Sequence, residues 1–174
     1  MNASIKKPII TDLYACSPNI QDSLCAEHFN AFHDDYLAYG MTSVDDAKKS
    51  LLHDYPKESK ENRLFVLTLD NNVIGSVCIN LNHSCKISSL LVSKKYRGRG
   101  YGSHLLRFAE RFLLSRNIST GQLEAYDDTV KFYTKREWDL ANTYFDDDVG
   151  KNVNVLIKML ELSHPSEFII RNKF

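Results

Sequence analysis

From residue 97 to residue 103 the chain reads Arg97-Gly98-Arg99-Gly100-Tyr101-Gly102-Ser103. An apolar run, Leu90-Leu91-Val92, precedes it, and a pattern of helical period follows. Glycines let successive backbone N–H groups turn toward one anion and form a nest. A helix that starts there adds its unpaired N–H groups and the positive end of its dipole. Arg97 and Arg99 add charge, so the stretch suits a pyrophosphate. Two common nucleotide motifs do not fit. A Walker loop needs Lys-Ser or Lys-Thr after its last glycine, and Gly102 is followed by Ser103-His104. A dinucleotide fingerprint needs G-x-G-x-x-G, whereas these glycines alternate. A flexible basic turn would also use glycines; the strand before and the amphipathic helix after favour an anion site.

The elements that must hold this loop can be read from periodicity. Residues 86–92 read as a strand and 103–116 as a helix, with Leu105, Phe108, Ala109, Phe112 and Leu113 as its apolar stripe. Upstream, 64–69 and 73–80 read as a hairpin around Asp70-Asn71-Asn72, and Gly75 signals a bulge or a close backbone approach. Ser17-Pro18 starts a helix that Gly40 ends, and Ser43 to Asp46 caps a second, shorter one. Residues 56–62 read as a polar loop. Downstream, 121–126 is a strand, 129–135 a short helix, and 153–160 a last strand with its partner near 140–145. The order predicts one α/β or α+β layer fold, a single domain over 1–174, on a mixed sheet. The tail, 161–174, has no readable role.

Composition excludes some classes. The 174 residues are 43% hydrophobic and 25% charged with zero formal net charge. No global field draws such a chain to DNA or an anionic membrane. The basic charge is local: seven Lys or Arg lie between Lys94 and Arg116, with one acid, Glu110. Cys16, Cys25, Cys78 and Cys85 include no C-x-x-C pair, and the six histidines show no ligand spacing, so no metal site is expected. Free thiols, no apolar leader and no spanning run point to a cytoplasmic protein off the membrane.

The stretch from Leu90 to Gly102 resembles the acetyl-CoA-binding motif of the GNAT N-acetyltransferase superfamily, R/Q-x-x-G-x-G/A, here Arg97-x-x-Gly100-x-Gly102. A second block agrees: Leu123-Glu124-Ala125 followed by Val130-Lys131-Phe132-Tyr133 resembles the family's next strand and its F-Y helix. The resemblance covers 64–160. It implies a mixed, mostly antiparallel sheet of six to seven strands flanked by about four helices. It implies transfer of an acetyl group from acetyl-CoA to a primary amine, with no metal. Leu91 and Val92 would pair with the cosubstrate's pantetheine arm, and Arg97, Gly98, Arg99, Gly100, Tyr101, Gly102 and Ser103 would hold its phosphates. Tyr133 stands where family members place the acid that protonates the leaving thiolate. Some members use a carboxylate on the 121–126 strand or the one before it. The earlier strand offers only Ser88 and Ser89, which leaves Glu124 as the base. Asp34-Asp35 and Asp146-Asp147-Asp148 fall where similar proteins border the acceptor, so a cationic amine is expected. A homodimer is compatible with the resemblance. One departure stands out: the family reads F-Y-x-x-x-G-F, and here Glu137-Trp138 replaces the last two residues, which strains the turn because a non-glycine residue resists positive φ. Two other readings stay open: an acyl-CoA-binding module without turnover, and a nucleic-acid binder that uses residues 94–116.

Overall fold

A computed structural model describes residues 7–58, 60–82 and 86–161. The elements run β1 (Ile9–Asp12), α1 (Pro18–Ala31), α2 (His33–Ala38), α3 (Val44–Lys49), α4 (Tyr55–Glu58), β2 (Asn62–Leu69), β3 (Asn72–Asn80), β4 (Lys86–Val92), α5 (Tyr101–Ser115), β5 (Thr120–Tyr126), α6 (Asp127–Thr134), β6 (Asp139–Asp146) and β7 (Lys151–Met159). The seven strands form one sheet in the order β1-β2-β3-β4-β5-β7-β6. Every pair is antiparallel except β4–β5.

Alternation along the strands divides the core into two layers. Phe65, Leu67, Ile74, Val77 and Ile79 face α5, whose Leu105, Leu106, Ala109 and Leu113 are buried against them. Leu64, Val66, Val73, Cys78 and Leu91 face the other way, onto Leu24 and Cys25 of α1 and Leu51. The β2–β3 hairpin closes through Asp70 and Asn71 at φ 51° and 60°, the left-handed pair that a two-residue turn needs. Ser43 and Asp46 form the expected reciprocal cap at α3.

Four details differ from the sequence reading. Strand β1 went unread because four residues give too short an alternation. The first helix is two: Phe32, at φ −115° and ψ 35°, ends α1 and opens α2. The polar segment 56–62 starts inside a helical run: a π-helical stretch, Ser50–Asp54, joins α3 to α4 without a break, and Pro56 stands within that run. Helices α5 and α6 each start two residues earlier than their apolar periodicity. Among the described residues no helix is long and apolar enough to cross a membrane, and Cys16, Cys25 and Cys78 are free thiols. Cys85 and residues 162–174 lie outside the described residues.

One irregularity shapes the site. Ser76 pairs with Leu91 and Cys78 with Ser88, so Ser89 and Leu90 on β4 oppose Val77 alone. Ser89 sits at φ 48°. This bulge bends β4. Strands β4 and β5 pair only at Lys86–Gln122 and Ile87–Leu123, then part. From Ser88 to Val92 the β5 side of β4 has no strand partner among the described residues. The sheet opens into a cleft.

Candidate active site

The cleft has two chambers. The larger, about 770 Å³, runs along Leu90, Leu91 and Val92 to the start of α5. There Gly100 is the N-cap, at φ 83°, and its carbonyl accepts from the His104 N–H at 3.0 Å. The N–H groups of Tyr101, Gly102 and Ser103 therefore precede the first helical hydrogen bond, as helix geometry requires. A Cβ at Gly102 would lie 3.2 Å from the Phe132 ring, so glycine there lets α5 approach α6. Arg97, Gly98, Gly100, Tyr101, Gly102 and Ser103 line this chamber. Arg97 donates from Nε to the Val92 carbonyl at 3.0 Å, which draws its charge back over the end of β4. Arg99 does not line the chamber; its guanidinium lies 5.9 Å from the centre of the Tyr96 ring.

Arg136 belongs to this end and was not read from the sequence. It donates from Nε and Nη2 to Ser103 Oγ at 3.0 and 2.6 Å, and its guanidinium stacks 3.8 Å over Phe132. Its signal is spacing: Arg136 follows Phe132 by four residues and donates to the Phe132 carbonyl.

The smaller chamber, about 370 Å³, opens on the α1–α2 side. Glu124, exposed on β5, lines it together with Asp35 of α2 and Asp146 at the end of β6. The expected alternation holds: Leu123 and Ala125 are buried, and Glu124 points to the other face. Asp147 and Asp148 do not line it. Its floor holds His28 and Tyr36, with the Tyr36 hydroxyl 2.8 Å from His28 Nδ1. Burial pulls His28 down to about 4, so the ring is neutral.

The chambers meet at Phe32, Asp35, Leu90, Tyr126, Thr129 and Tyr133. Tyr133 is 8% exposed, and burial pushes its phenol up to about 12. It keeps its proton through the neutral range. Among the described residues its hydroxyl has no hydrogen-bond partner, so the donor is open to the junction. Two contacts tie α2 to the opposite wall: Tyr126 donates its hydroxyl to Asp35, and Lys151 Nζ lies 2.7 Å from Asp34 Oδ2. That hydrogen bond from Lys151 holds the Asp34 carboxyl below its usual range. Sequence separations of 91 and 117 residues hide both contacts from pattern reading.

The chemistry follows from the polarity of the two ends. The larger chamber offers backbone N–H groups and guanidinium at the start of α5, with Asp34, Asp35 and Asp128 also on its lining, and the smaller one offers the carboxylates of Asp35, Glu124 and Asp146. An extended anion and a cation would meet beside a phenol that can give a proton.

A sequence profile of the Acetyltransferase (GNAT) family matches residues 23–138. The chain belongs to that family. The match reaches α1, upstream of the 64–160 core that the motifs alone delimit. No curated protein matches in sequence. Among solved structures, an aminoglycoside 6'-N-acetyltransferase complexed with coenzyme A superposes with TM-score 0.69 at 14% identity, over 88% of this chain and 97% of that one. Ard1 from Thermoplasma volcanium gives 0.68 at 17%, over 88% and 98%. The ribosomal-protein-S18-alanine N-acetyltransferase of Escherichia coli gives 0.62 at 13%, over 94% and 100%. These likenesses are of fold. The seven-stranded, mostly antiparallel sheet is the GNAT sheet, and the family replacement at Glu137 keeps the turn: Glu137 takes φ 65°.

Proposed function

We propose that this GNAT protein is an acetyl-CoA-dependent N-acetyltransferase that moves the acetyl group directly to a primary amine. The observation that carries the reading is the split of β4 from β5, with an anion-binding helix start at one end, carboxylates at the other and Tyr133 where they meet. Acetyl-CoA supplies an activated thioester. Its phosphates suit the N–H groups of Tyr101, Gly102 and Ser103 with Gly98, Gly100, Arg97 and Arg136 around them. The unpaired edge at Leu91 and Val92 suits an extended arm that pairs as an added strand.

An alkylammonium has a pKa of about 10.4 and must lose a proton before it can attack. Glu124 takes that proton, directly or through water. The amine nitrogen then bonds to the acetyl carbon, the carbon–sulfur bond breaks, and Tyr133 gives its proton to the sulfur; the second proton that the nitrogen sheds on becoming an amide returns the tyrosinate to a phenol, directly or through water. Burial serves this step by keeping the phenol protonated until it is used. The test is thiol release from acetyl-CoA against a library of primary amines, with calorimetric titration of CoA. Binding and amine-dependent thiol release are expected. Binding without release on any amine would leave only a CoA-binding module. Failure of CoA to bind, with retention on heparin that falls steeply with salt, would favour nucleic acid instead.

A further inference from the structure

The smaller chamber has a composition that selects its occupant. Among the described residues three carboxylates line it, those of Asp35, Glu124 and Asp146, and no Lys or Arg does; Lys151, on the lining of the larger chamber, acts on Asp35 from that side. Its walls are aromatic: Phe32, Tyr36, Tyr39, Tyr126, Tyr133 and Tyr144. Tyr39 and Tyr144 stand at the rim, 63% and 42% exposed. Aromatic faces beside carboxylates attract an organic cation through the ring quadrupole as well as through charge. The Asp146 carboxylate is held in place, because its Oδ1 accepts the N–H groups of Asp148 and Val149 at 3.0 and 3.2 Å. A ligand meets it already oriented.

The floor adds an independent sign. His28 is 5% exposed, and its Nε2 has no hydrogen-bond partner among the described residues. A buried polar atom left without a partner costs about 1–3 kcal/mol. The buried imidazole is neutral, so the floor sets no positive charge against a cation in the chamber. A carboxylate there would face three like charges.

We propose that the smaller chamber takes a compact diamine, whose near nitrogen is acetylated at Tyr133 while its far nitrogen stays charged between the Asp35 and Asp146 walls. The proposal rests on the acetyl-transfer reading. Glu124 serves the reacting nitrogen, which must become neutral. That leaves Asp146, and Asp35 in part because Tyr126 and Lys151 already act on it, as the charge that a nitrogen keeping its proton would match. At about 370 Å³ the chamber is at the lower end of small-molecule sites, which suits a short chain.

Three five-carbon primary amines isolate the far group: cadaverine carries a second ammonium, n-pentylamine a methyl group, and δ-aminovalerate a carboxylate. Calorimetric titration of each into the CoA-bound protein, and thiol release with each from acetyl-CoA, read the same ranking. Cadaverine is expected to bind at least about tenfold tighter than n-pentylamine, with δ-aminovalerate weakest by about a further tenfold. Asp146→Asn should shrink the advantage of cadaverine over n-pentylamine to about threefold or less, while CoA titration of the variant reports an intact cleft. Equal binding of the three amines, a preference for δ-aminovalerate, no binding of cadaverine, or an advantage that Asp146→Asn leaves untouched overturns the diamine assignment alone. Failure of the wild-type protein to bind CoA overturns the acetyl-transfer reading and the assignment with it.

Discussion

At the scale of single residues the proposed reaction rests on a donor and an acceptor of protons in different surroundings. Tyr133 is buried, with its phenol raised to about 12; Glu124 is exposed on the lining of the smaller chamber. Tyr133→Phe keeps the ring and its packing against Phe132, 4.9 Å between centroids, and removes only the hydroxyl. Acetyl-CoA affinity should hold while turnover falls at least about a hundredfold, the scale of lost general-acid help. Steady-state kinetics decide it, and an unchanged kcat would make Tyr133 a packing residue. Glu124→Gln should behave differently. Its defect should be largest near neutral pH and should shrink as pH rises toward about 10, because the amine is then neutral without help. A variant pH–rate profile parallel to wild type would remove Glu124 from the proton path.

Elements set where those residues stand, and here the glycine of β3 and the end of α6 matter most. An added Cβ at Gly75 would come within 2.2 Å of the Leu91 carbonyl oxygen and 3.1 Å of Leu105. The first of these is backbone of β4, the strand whose open edge forms the cleft. Gly75→Ala should therefore destabilise the fold by about 2–3 kcal/mol, the upper part of the range for overpacking. Urea unfolding measures it, and an unchanged midpoint would mean that β4 yields freely. Helix α6 ends on a Schellman motif: Trp138 N–H donates to the Tyr133 carbonyl at 3.3 Å and Glu137 N–H to that of Thr134 at 3.2 Å. Glu137 thus stands at the position that glycine prefers. The turn survives because Trp138, 1% exposed, packs over Gly121 and donates from Nε1 to Glu110 at 2.9 Å. A left-handed non-glycine residue costs about 1–2 kcal/mol, and glycine returns part of that as unfolded-state entropy. The pair from Glu137 to Lys158 is 3.8 Å long with the Glu137 side chain 89% exposed, so it contributes little. Glu137→Gly should raise stability by about 0.5–1 kcal/mol. A drop in thermal midpoint would show that Glu137 does more for the fold than its exposed contact suggests.

At the scale of the whole molecule, local patterns were legible and long-range meetings were not. Alternation exposed the face of Glu124, and the glycine spacing exposed the helix start at Gly100, because both depend on neighbours in sequence. The bulge at Ser89–Leu90, the place of Arg136 on Ser103 and the ties from Asp34 and Asp35 to Lys151 and Tyr126 depend on packing between distant segments. His28 is the same kind of case: by sequence an ordinary helix residue, in the fold a buried neutral imidazole under the cleft. That burial couples one residue to the stability of the molecule. Its folded pKa, about 4, is depressed below the unfolded value of 6.5. The folded state therefore binds fewer protons between these limits, so the contribution is intact above about pH 6.5 and is lost as pH falls toward 4. Each pH unit in that window should cost about 1.4 kcal/mol from this group, roughly 3 kcal/mol in all. Asp34 and Asp46 are held low by hydrogen bonds from Lys151 and Ser43, and they add acid sensitivity only below their unfolded values near 4. His28→Gln removes the titration and keeps a polar group that can meet the Tyr36 hydroxyl. Chemical denaturation of both proteins at several pH values from 7 to 4 isolates the term as a difference of slopes. Wild type should lose stability more steeply than the variant by about 1.4 kcal/mol per unit between pH 6 and 4.5. Equal slopes would mean that His28 takes up its proton in the folded protein as easily as in the unfolded chain, and that the chamber floor is wetter than its burial indicates.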